Sequence, residues 1–388
     1  MTLLDQNRAK NEHVADHALE CTGLTKYFAG VSAVAGLNLS LPKGQILALL
    51  GPSGCGKTTA LRLIAGFEQP DSGIVSIGGE TVNNANRHTP PERRRVGMVF
   101  QEGALFPHLS VEQNIAYGLP KRPDREDRIS EVIRLIGLTD QRNRMPHELS
   151  GGQQQRVALG RALAPEPEIL LLDEPFSNLD PKLREQVRRD VLSILRASNA
   201  TAIFVTHDQE EALFVGDVVA VMNEGQVEQT ATPETIFHHP ETKFVAQFIG
   251  MVDFLSAHHD QGTLHTEIGS VDWPELQLGM FENGHPNDQS PIEVMVRPDC
   301  LDCSLSKDGL GVVLEREFRG AFYLYRVELP SGANVRCLLS HTEEYPLGSK
   351  VTVRLRDGPH LRPFVGDKLV PVSHSDSCLL YTSPSPRD

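Results

Sequence analysis

From Ala18 to about Asp217, short apolar runs alternate with amphipathic segments, the pattern of a parallel α/β architecture. The run GQILALLG, closed by glycine, predicts a buried strand. The following KTTALRLIAG predicts a helix with Leu61, Ile64 and Ala65 on one face and Gly66 at its end. PEILLLDEP and TAIFVTHD predict two more buried strands, each ending in polar residues. In open parallel sheets, ligands bind at such carboxyl ends. Leu183, Val187, Val191 and Leu195 then recur every four residues, with Asp180 placed to cap that helix and Pro181 at its first position. After Gly250 the period changes. IEVMVRP, GVVLERE, AFYLYRVEL, NVRCLLS and KVTVRLRD are short β-like runs separated by Gly, Pro, Asn and Asp, and predict a small β-barrel or sandwich. The expected division is therefore a disordered segment over 1–18, an α/β domain over 19–250 and a β-rich domain over 251–372, with no internal repeat.

Length and composition fit this division. A chain of 388 residues suits two domains or three, and 39% hydrophobic with 23% charged residues describes a soluble globular protein. A formal net charge of −14 argues against nucleic acid as a partner, because phosphate-tracking proteins normally carry a basic field. No run approaches the roughly 18 apolar residues of a membrane-spanning helix. The polar start MTLLDQNRAKNEHVADH lacks the apolar core of a secretory signal, so the chain is expected in the cytoplasm. Six scattered cysteines (Cys21, Cys55, Cys300, Cys303, Cys337, Cys378) fit a reducing compartment. Cys300 and Cys303 form one CLDC pair, but a zinc ribbon needs a second. His238–His239 and His258–His259 fit no metal-ligand spacing and read as surface residues. The last residues, Cys378–Asp388, match one reading frame of a common transposase-based sequencing adapter and are excluded from fold reasoning.

The chemistry is concentrated in two glycine-rich stretches and two strand ends. Gly51-Pro52-Ser53-Gly54-Cys55-Gly56-Lys57-Thr58 fits the phosphate-loop pattern G-x-x-x-x-G-K-[ST] between a strand and a helix. Its glycines let the backbone wrap phosphates, Lys57 reaches the terminal ones, and Thr58 can ligate magnesium. A thiol at Cys55 makes such a loop sensitive to alkylation. Asp173 and Glu174 end a buried strand, where one carboxylate can hold magnesium and its neighbour can orient a hydrolytic water. LSGGQQQRVALGRALA, from Leu149, looks like a second loop that opens a helix and presents N–H groups to an anion.

Together these residues resemble the nucleotide-binding subunits of ATP-binding cassette (ABC) transporters, over about Leu19 to Gly250. The resemblance implies an α/β P-loop NTPase cassette with a C-terminal all-β, OB-like small-barrel (TOBE-like) domain, and ATP and Mg2+ as cofactors. It implies that Gly51 to Thr59 bind ATP, that Thr58, Gln101 and Asp173 hold Mg2+, and that Lys57, Gln101, Glu174 as base and His207 as switch histidine form the catalytic set. Phe28 matches the aromatic residue that stacks on adenine, with Tyr27 the alternative if the register slips by one. Ser150, Gly151, Gly152, Gln153 and Asp180 match positions that meet the ATP of a second copy, in a head-to-tail dimer with two ATP molecules at its interface. A cassette followed by a β domain resembles importer ATPases, which act at the cytoplasmic face of the bacterial inner membrane with a separate permease and a substrate-binding protein. Gln101 to Leu119, with a short helical stretch around Leu105, Phe106 and Leu109, lies where such subunits grip the permease. VRPDCLD, Val296 to Asp302, is similar to the arginine-proline-acid turn of their β domains, although its continuation is unusual. Within the class the resemblance is strongest to ferric-iron importers, with Glu102-Gly103 standing where sugar and polyamine relatives place an aromatic. Importers of polyamine, sulfate, sugar or phosphorylated polyol are the alternative. A soluble cassette protein of DNA repair or translation, or a non-hydrolytic regulator, is disfavoured by the single cassette and the intact Lys57, Glu174 and His207.

Overall fold

The computed structural model describes residues 17–101, 104–121, 123–177, 179–272, 291–356 and 361–370. Most of the 1–18 segment, Glu102-Gly103 and the adapter-like end lie outside these residues. The chain divides into two compact units, Met1–Pro233 and Glu234–Asp388.

The first unit runs β1 (His17–Phe28), β2 (Val31–Pro42), β3 (Ile46–Leu50), α1 (Lys57–Ala65), β4 (Ser72–Ile77), β5 (Glu80–Asn84), β6 (Arg87–His88) and β7 (Val96–Val99). It continues α2 (Val111–Ala116), α3 (Arg125–Leu135), α4 (Gly151–Leu163), β8 (Ile169–Asp173), α5 (Pro181–Ala197), β9 (Ala202–Thr206), α6 (Gln209–Val215), β10 (Val218–Asn223) and β11 (Gln226–Ala231). Its central sheet has the order β11-β10-β3-β9-β8-β7, parallel except for the antiparallel edge strand β11. Every residue of β3 and β9 is buried, as expected for strands covered on both faces. Alternation sends Leu47, Leu49, Ile203 and Val205 to the side of α1, while Ile46, Ala202 and Phe204 face the cluster built with α2 to α5. The spacing of Val187, Val191 and Leu195 does what it predicts: all three enter that second cluster. A second sheet, antiparallel in the order β2-β1-β4-β5-β6, shares the α1-side core.

The second unit begins in α7 (Pro233–His238) and α8 (Lys243–Ile249). Strands β12 (Asp253–Asp260), β13 (Thr263–Thr266), β14 (Gly269–Asp272), β15 (Ile292–Val296), β16 (Leu301–Leu305) and β17 (Gly311–Phe318) follow. Then come β18 (Phe322–Glu328), β19 (Asn334–Ser340), β20 (Lys350–Leu355), β21 (Arg362–Val365) and β22 (Lys368–Leu369). They form two sheets, β14-β13-β12-β15-β21-β22 and β16-β20-β17-β18-β19, around one apolar core. The change of period after Gly250 marks where the strands begin, whereas the compact units part at Pro233. Ala246 of α8 packs with Val252, Met295 and Phe364, which ties the helix to the strands that follow it.

Candidate functional site

The parallel register aligns the strand ends. Leu50 lies beside Thr206, Asp173 beside Val205, and Val99 beside Leu172. The residues that follow β3, β7, β8 and β9 therefore emerge along one edge of the sheet. That edge brings together the phosphate loop, Gln101, Asp173, Glu174 and His207.

In the loop, Gly54 and Gly56 have φ of 83° and 106°, a region that residues with a Cβ rarely adopt. A Cβ at Gly56 would stand 2.1 Å from the Ala33 carbonyl oxygen, and one at Gly51 would stand 2.2 Å from that of Met222. Only glycine lets the loop pass so close to its neighbours. Gly56 caps α1 without a side-chain acceptor, so the first N–H groups of a nine-residue helix face the loop. Lys57 is buried and donates to the Gly51 and Pro52 carbonyls at 2.7 and 2.8 Å, which folds its ammonium over the loop. Thr58 Oγ1 donates to Asp173 Oδ1 at 3.3 Å. Burial pushes the Asp173 carboxyl above its ordinary range, with the Thr58 hydrogen bond acting the other way. A hydroxyl and a half-buried carboxylate beside an N–H-rich loop form an oxygen donor set, which suits the hard cation Mg2+. When bound, that ion supplies charge neutralisation to phosphate oxygens.

Glu174 is held by its backbone, whose N–H donates to Val205 of β9 at 3.0 Å. Its φ of 43° places a non-glycine residue in the left-handed region, a strain of about 1–3 kcal/mol that surrounding contacts must offset. Ser177 contributes by donating Oγ to the Glu174 carbonyl at 3.0 Å, and it also accepts from Gln101 Nε2 at 3.0 Å. The Glu174 carboxylate meets His207 Nδ1 at 3.1 Å. A carboxylate, an imidazole bonded to it and a nearby oxygen donor set thus share one sheet edge, an arrangement that can activate water for phosphoryl transfer.

The second glycine-rich stretch opens α4 as expected. Ser150 Oγ accepts from the Gln153 N–H at 3.3 Å while Gln153 Oε1 accepts from the Ser150 N–H at 2.9 Å, a reciprocal cap. Gly152 has a further reason to be glycine, since a Cβ there would lie 2.6 Å from Val187 Cγ2 on α5. Among the described residues no hydrogen bond or ion pair links residues 150–153 to residues 51–59. Asp180 caps α5 by accepting from the Leu183 N–H at 3.0 Å. The rings of Tyr27 and Phe28 are both exposed, and Lys26 Nζ stands 5.3 Å from the centre of the Phe28 ring.

The segment before α2 differs from the expectation. Leu105, Phe106 and Leu109 precede the helix, which begins after Ser110 with its own capping box to Gln113. Asn114, wholly buried, organises the segment by donating to the Phe106, Leu109 and Ser110 carbonyls and accepting from the Phe106 N–H. Arg161 donates to the Ala104 carbonyl at 2.7 Å and covers the Phe106 ring at 5.2 Å. Neither residue was singled out from the sequence. Arg94 was missed as well: its buried guanidinium donates to the Thr89, Leu63 and Ile64 carbonyls at 2.6 to 2.9 Å, holding the C-terminal turn of α1. Among the described residues no group of three or more His, Cys, Asp or Glu side chains is placed to hold a metal ion, and Cys300 and Cys303 join none.

Burial pushes the Cys55 thiol above the ordinary cysteine range, with Lys57, whose Nζ lies 3.8 Å from Sγ, pulling it down. The thiolate is the nucleophile, so inactivation by N-ethylmaleimide is expected to be slow at pH 7 and to accelerate about tenfold per pH unit until the thiol titrates. ATP should protect. Inactivation time courses at pH 7, 8 and 9, with and without ATP, check this; a rate that does not vary with pH would count against it.

Comparisons with known proteins bear on the family of the chain. The ABC transporter family model matches residues 34–177 and the TOBE domain model matches residues 294–360. The chain is 44% identical to the Fe(3+) ions import ATP-binding protein FbpC 3 of Rhodococcus jostii, over 81% of this chain and 89% of that protein. It is 39% identical to the spermidine/putrescine import ATP-binding protein PotA of Nitratidesulfovibrio vulgaris, over 88% of this chain and 96% of that protein. The solved structure of cbiO1 from Clostridium perfringens, part of the ABC transporter complex cbiONQ, superposes with a TM-score of 0.53 at 29% identity, covering 58% of this chain and 92% of that one. Among the described residues no helix is long and apolar enough to cross a membrane. With its phosphate loop, its signature helix and its C-terminal TOBE domain, the chain belongs to the import ATP-binding proteins of the ABC transporter family, which work with ATP and Mg2+.

Proposed function

We propose that two copies of the chain hydrolyse ATP at a shared head-to-tail interface, and that the cargo they energise is Fe(III). The carrying observation is the meeting of Glu174 and His207 at the sheet edge that also holds Lys57, Thr58 and Asp173. In this reading Gly51 to Thr59 cradle the phosphates, Lys57 neutralises the terminal ones, and Thr58, Gln101 and Asp173 face the magnesium. Glu174 takes the proton of the attacking water. His207 orients Glu174 and contacts the γ-phosphate, and Phe28 stacks on adenine. Ser150, Gly151, Gly152, Gln153 and Asp180 meet the nucleotide of the second copy. The α4 N-terminus supports that role, since it presents N–H groups and has no bond to the chain's own phosphate loop. A membrane permease, gripped through the segment around Phe106, and a substrate-binding protein complete the importer at the cytoplasmic face of the inner membrane.

Iron is supported by the 44% identity to the Rhodococcus protein. Polyamine is the second reading, favoured by the relative from Nitratidesulfovibrio, whose match extends over 88% of this chain. The test is uptake of labelled ferric iron, spermidine, sulfate and a sugar phosphate by a deletion strain carrying the wild-type or Glu174→Gln chain. Restored iron uptake by the wild type alone is the expected result. Restored spermidine uptake would replace iron with polyamine, and restoration by the Glu174→Gln chain would remove Glu174 from the chemistry.

A further inference from the structure

Within the second unit, the antiparallel pairing of β12 and β13 sets His258 directly opposite His265. Their rings stack with centroids 5.0 Å apart and planes inclined by 25°. Leu255 and Leu264 of the same strands enter the core of the β unit, so alternation puts His258 and His265 together on the outer face. His258 is exposed and His265 half-buried. The row continues onto β14, where Ser270 lies opposite His265 and its Oγ is 2.8 Å from His265 Nδ1. In the tautomer whose Nδ1–H donates to this hydroxyl, the Nε2 lone pair is free to ligate. The sequence pairs His258 with its neighbour His259, but His259 stands opposite Leu264, on the other side of the strand.

We propose that His258 and His265 form a two-imidazole binding site for a divalent first-row transition ion of the zinc and copper type, with Ser270 as the positioning residue for His265. Residues directly opposite on antiparallel strands have Cβ atoms about 4.5–5.5 Å apart. Two imidazole nitrogens binding one ion at about 2.0–2.1 Å span that gap with small ring rotations. Imidazole ligands suit zinc, copper and nickel, whereas magnesium and other hard cations prefer oxygen. With two protein ligands the remaining positions belong to water, which makes the bound ion exchangeable. The site belongs to the second unit and precedes residue 294, where the TOBE match begins.

The test uses the full chain freed of metal with EDTA and titrated with Zn2+ by calorimetry, with Cu2+ electron paramagnetic resonance as the second readout. The wild type is expected to show one site that His258→Ala and His265→Ala each weaken at least tenfold, that Ser270→Ala weakens several-fold, and that His259→Ala leaves unchanged. The Cu2+ spectrum should report two equivalent imidazole nitrogens in the wild type and one in either variant. Melting temperatures without metal, expected to match for all variants because the pair is on the outer face, separate lost binding from lost folding. Equal zinc binding by the wild type and the His258→Ala/His265→Ala double variant would overturn the site, as would loss of binding in His259→Ala alone.

Discussion

A Glu174→Gln chain is expected to bind ATP normally and to hydrolyse it about 10²- to 10⁴-fold more slowly, the range that a positioned general base contributes. The amide keeps the size of the side chain and can still bond His207, so the contact at 3.1 Å and the backbone bond to Val205 need not be lost. What disappears is the capacity to take a proton. Lys57, Thr58 and Asp173, which the proposed mechanism assigns to the phosphates and the ion, are untouched, so binding and chemistry should separate cleanly. Trapped ATP should hold two copies together, and the variant is expected to elute as a dimer with MgATP while the wild type returns to monomer as it turns over. Single-turnover hydrolysis and size-exclusion chromatography with MgATP check both statements. Turnover within threefold of the wild type would show that another group activates the water.

Arg94→Met is expected to lower the stability of the α/β unit by about 3 kcal/mol, because it leaves three buried carbonyl oxygens without their charged donor. Methionine fills most of the volume but donates nothing to Thr89, Leu63 or Ile64. For a unit of this size the melting temperature should fall by roughly 6–12 °C. Burial already lowers the Arg94 pKa to about 10, with Cys21 acting the other way, yet the group stays charged at neutral pH. Two of the carbonyls it serves, those of Leu63 and Ile64, end the helix that begins at Lys57, so ATP affinity is expected to fall along with stability. Gly66 is fitted to the same guanidinium, since a Cβ there would lie 2.4 Å from Arg94 Nε. Thermal melts of Arg94→Met and Arg94→Lys check the claim; a shift under 2 °C for both would mean that water replaces the donor.

The edge that carries the candidate site is legible because each part needs only local sequence: a strand, a turn with glycines at fixed positions, then a helix. Asp180 and Pro181 were legible for the same reason, as start signals immediately ahead of an apolar period. The antiparallel sheet is not, because β1, one of its two long strands, breaks the alternation that reveals strands. The pairing of β1 with β2 shifts register four times between His17 and Tyr27, so apolar residues such as Ala18 and Leu19 are adjacent and both buried. Arg94 was hidden for a different reason. Three arginines, Arg93, Arg94 and Arg95, stand in a row, and only the middle one is buried; composition cannot say which turns inward. The start of α2 was readable in principle, since Ser110 and Gln113 carry the capping-box spacing, but the apolar Leu105, Phe106 and Leu109 gave the stronger signal and belong to the loop. His258 and His265 meet through the β12–β13 register, which sequence alone leaves open.

The order β3-β9-β8 at the centre of the parallel sheet also sets a timetable for synthesis. Ile46 finds its strand neighbour only in Ala202, 156 positions later (202 − 46). At about 5–20 residues per second, the ribosome delivers that neighbour roughly 8–30 seconds after β3 itself. Throughout that interval ILALL, every residue of which is destined for the interior, has no β9 to pair with, while the phosphate loop that follows it has already been made. A nascent chain of this kind presents a hydrophobic strand edge long before it can bind nucleotide, and its other edge waits longer still, for β10 at Val218–Asn223.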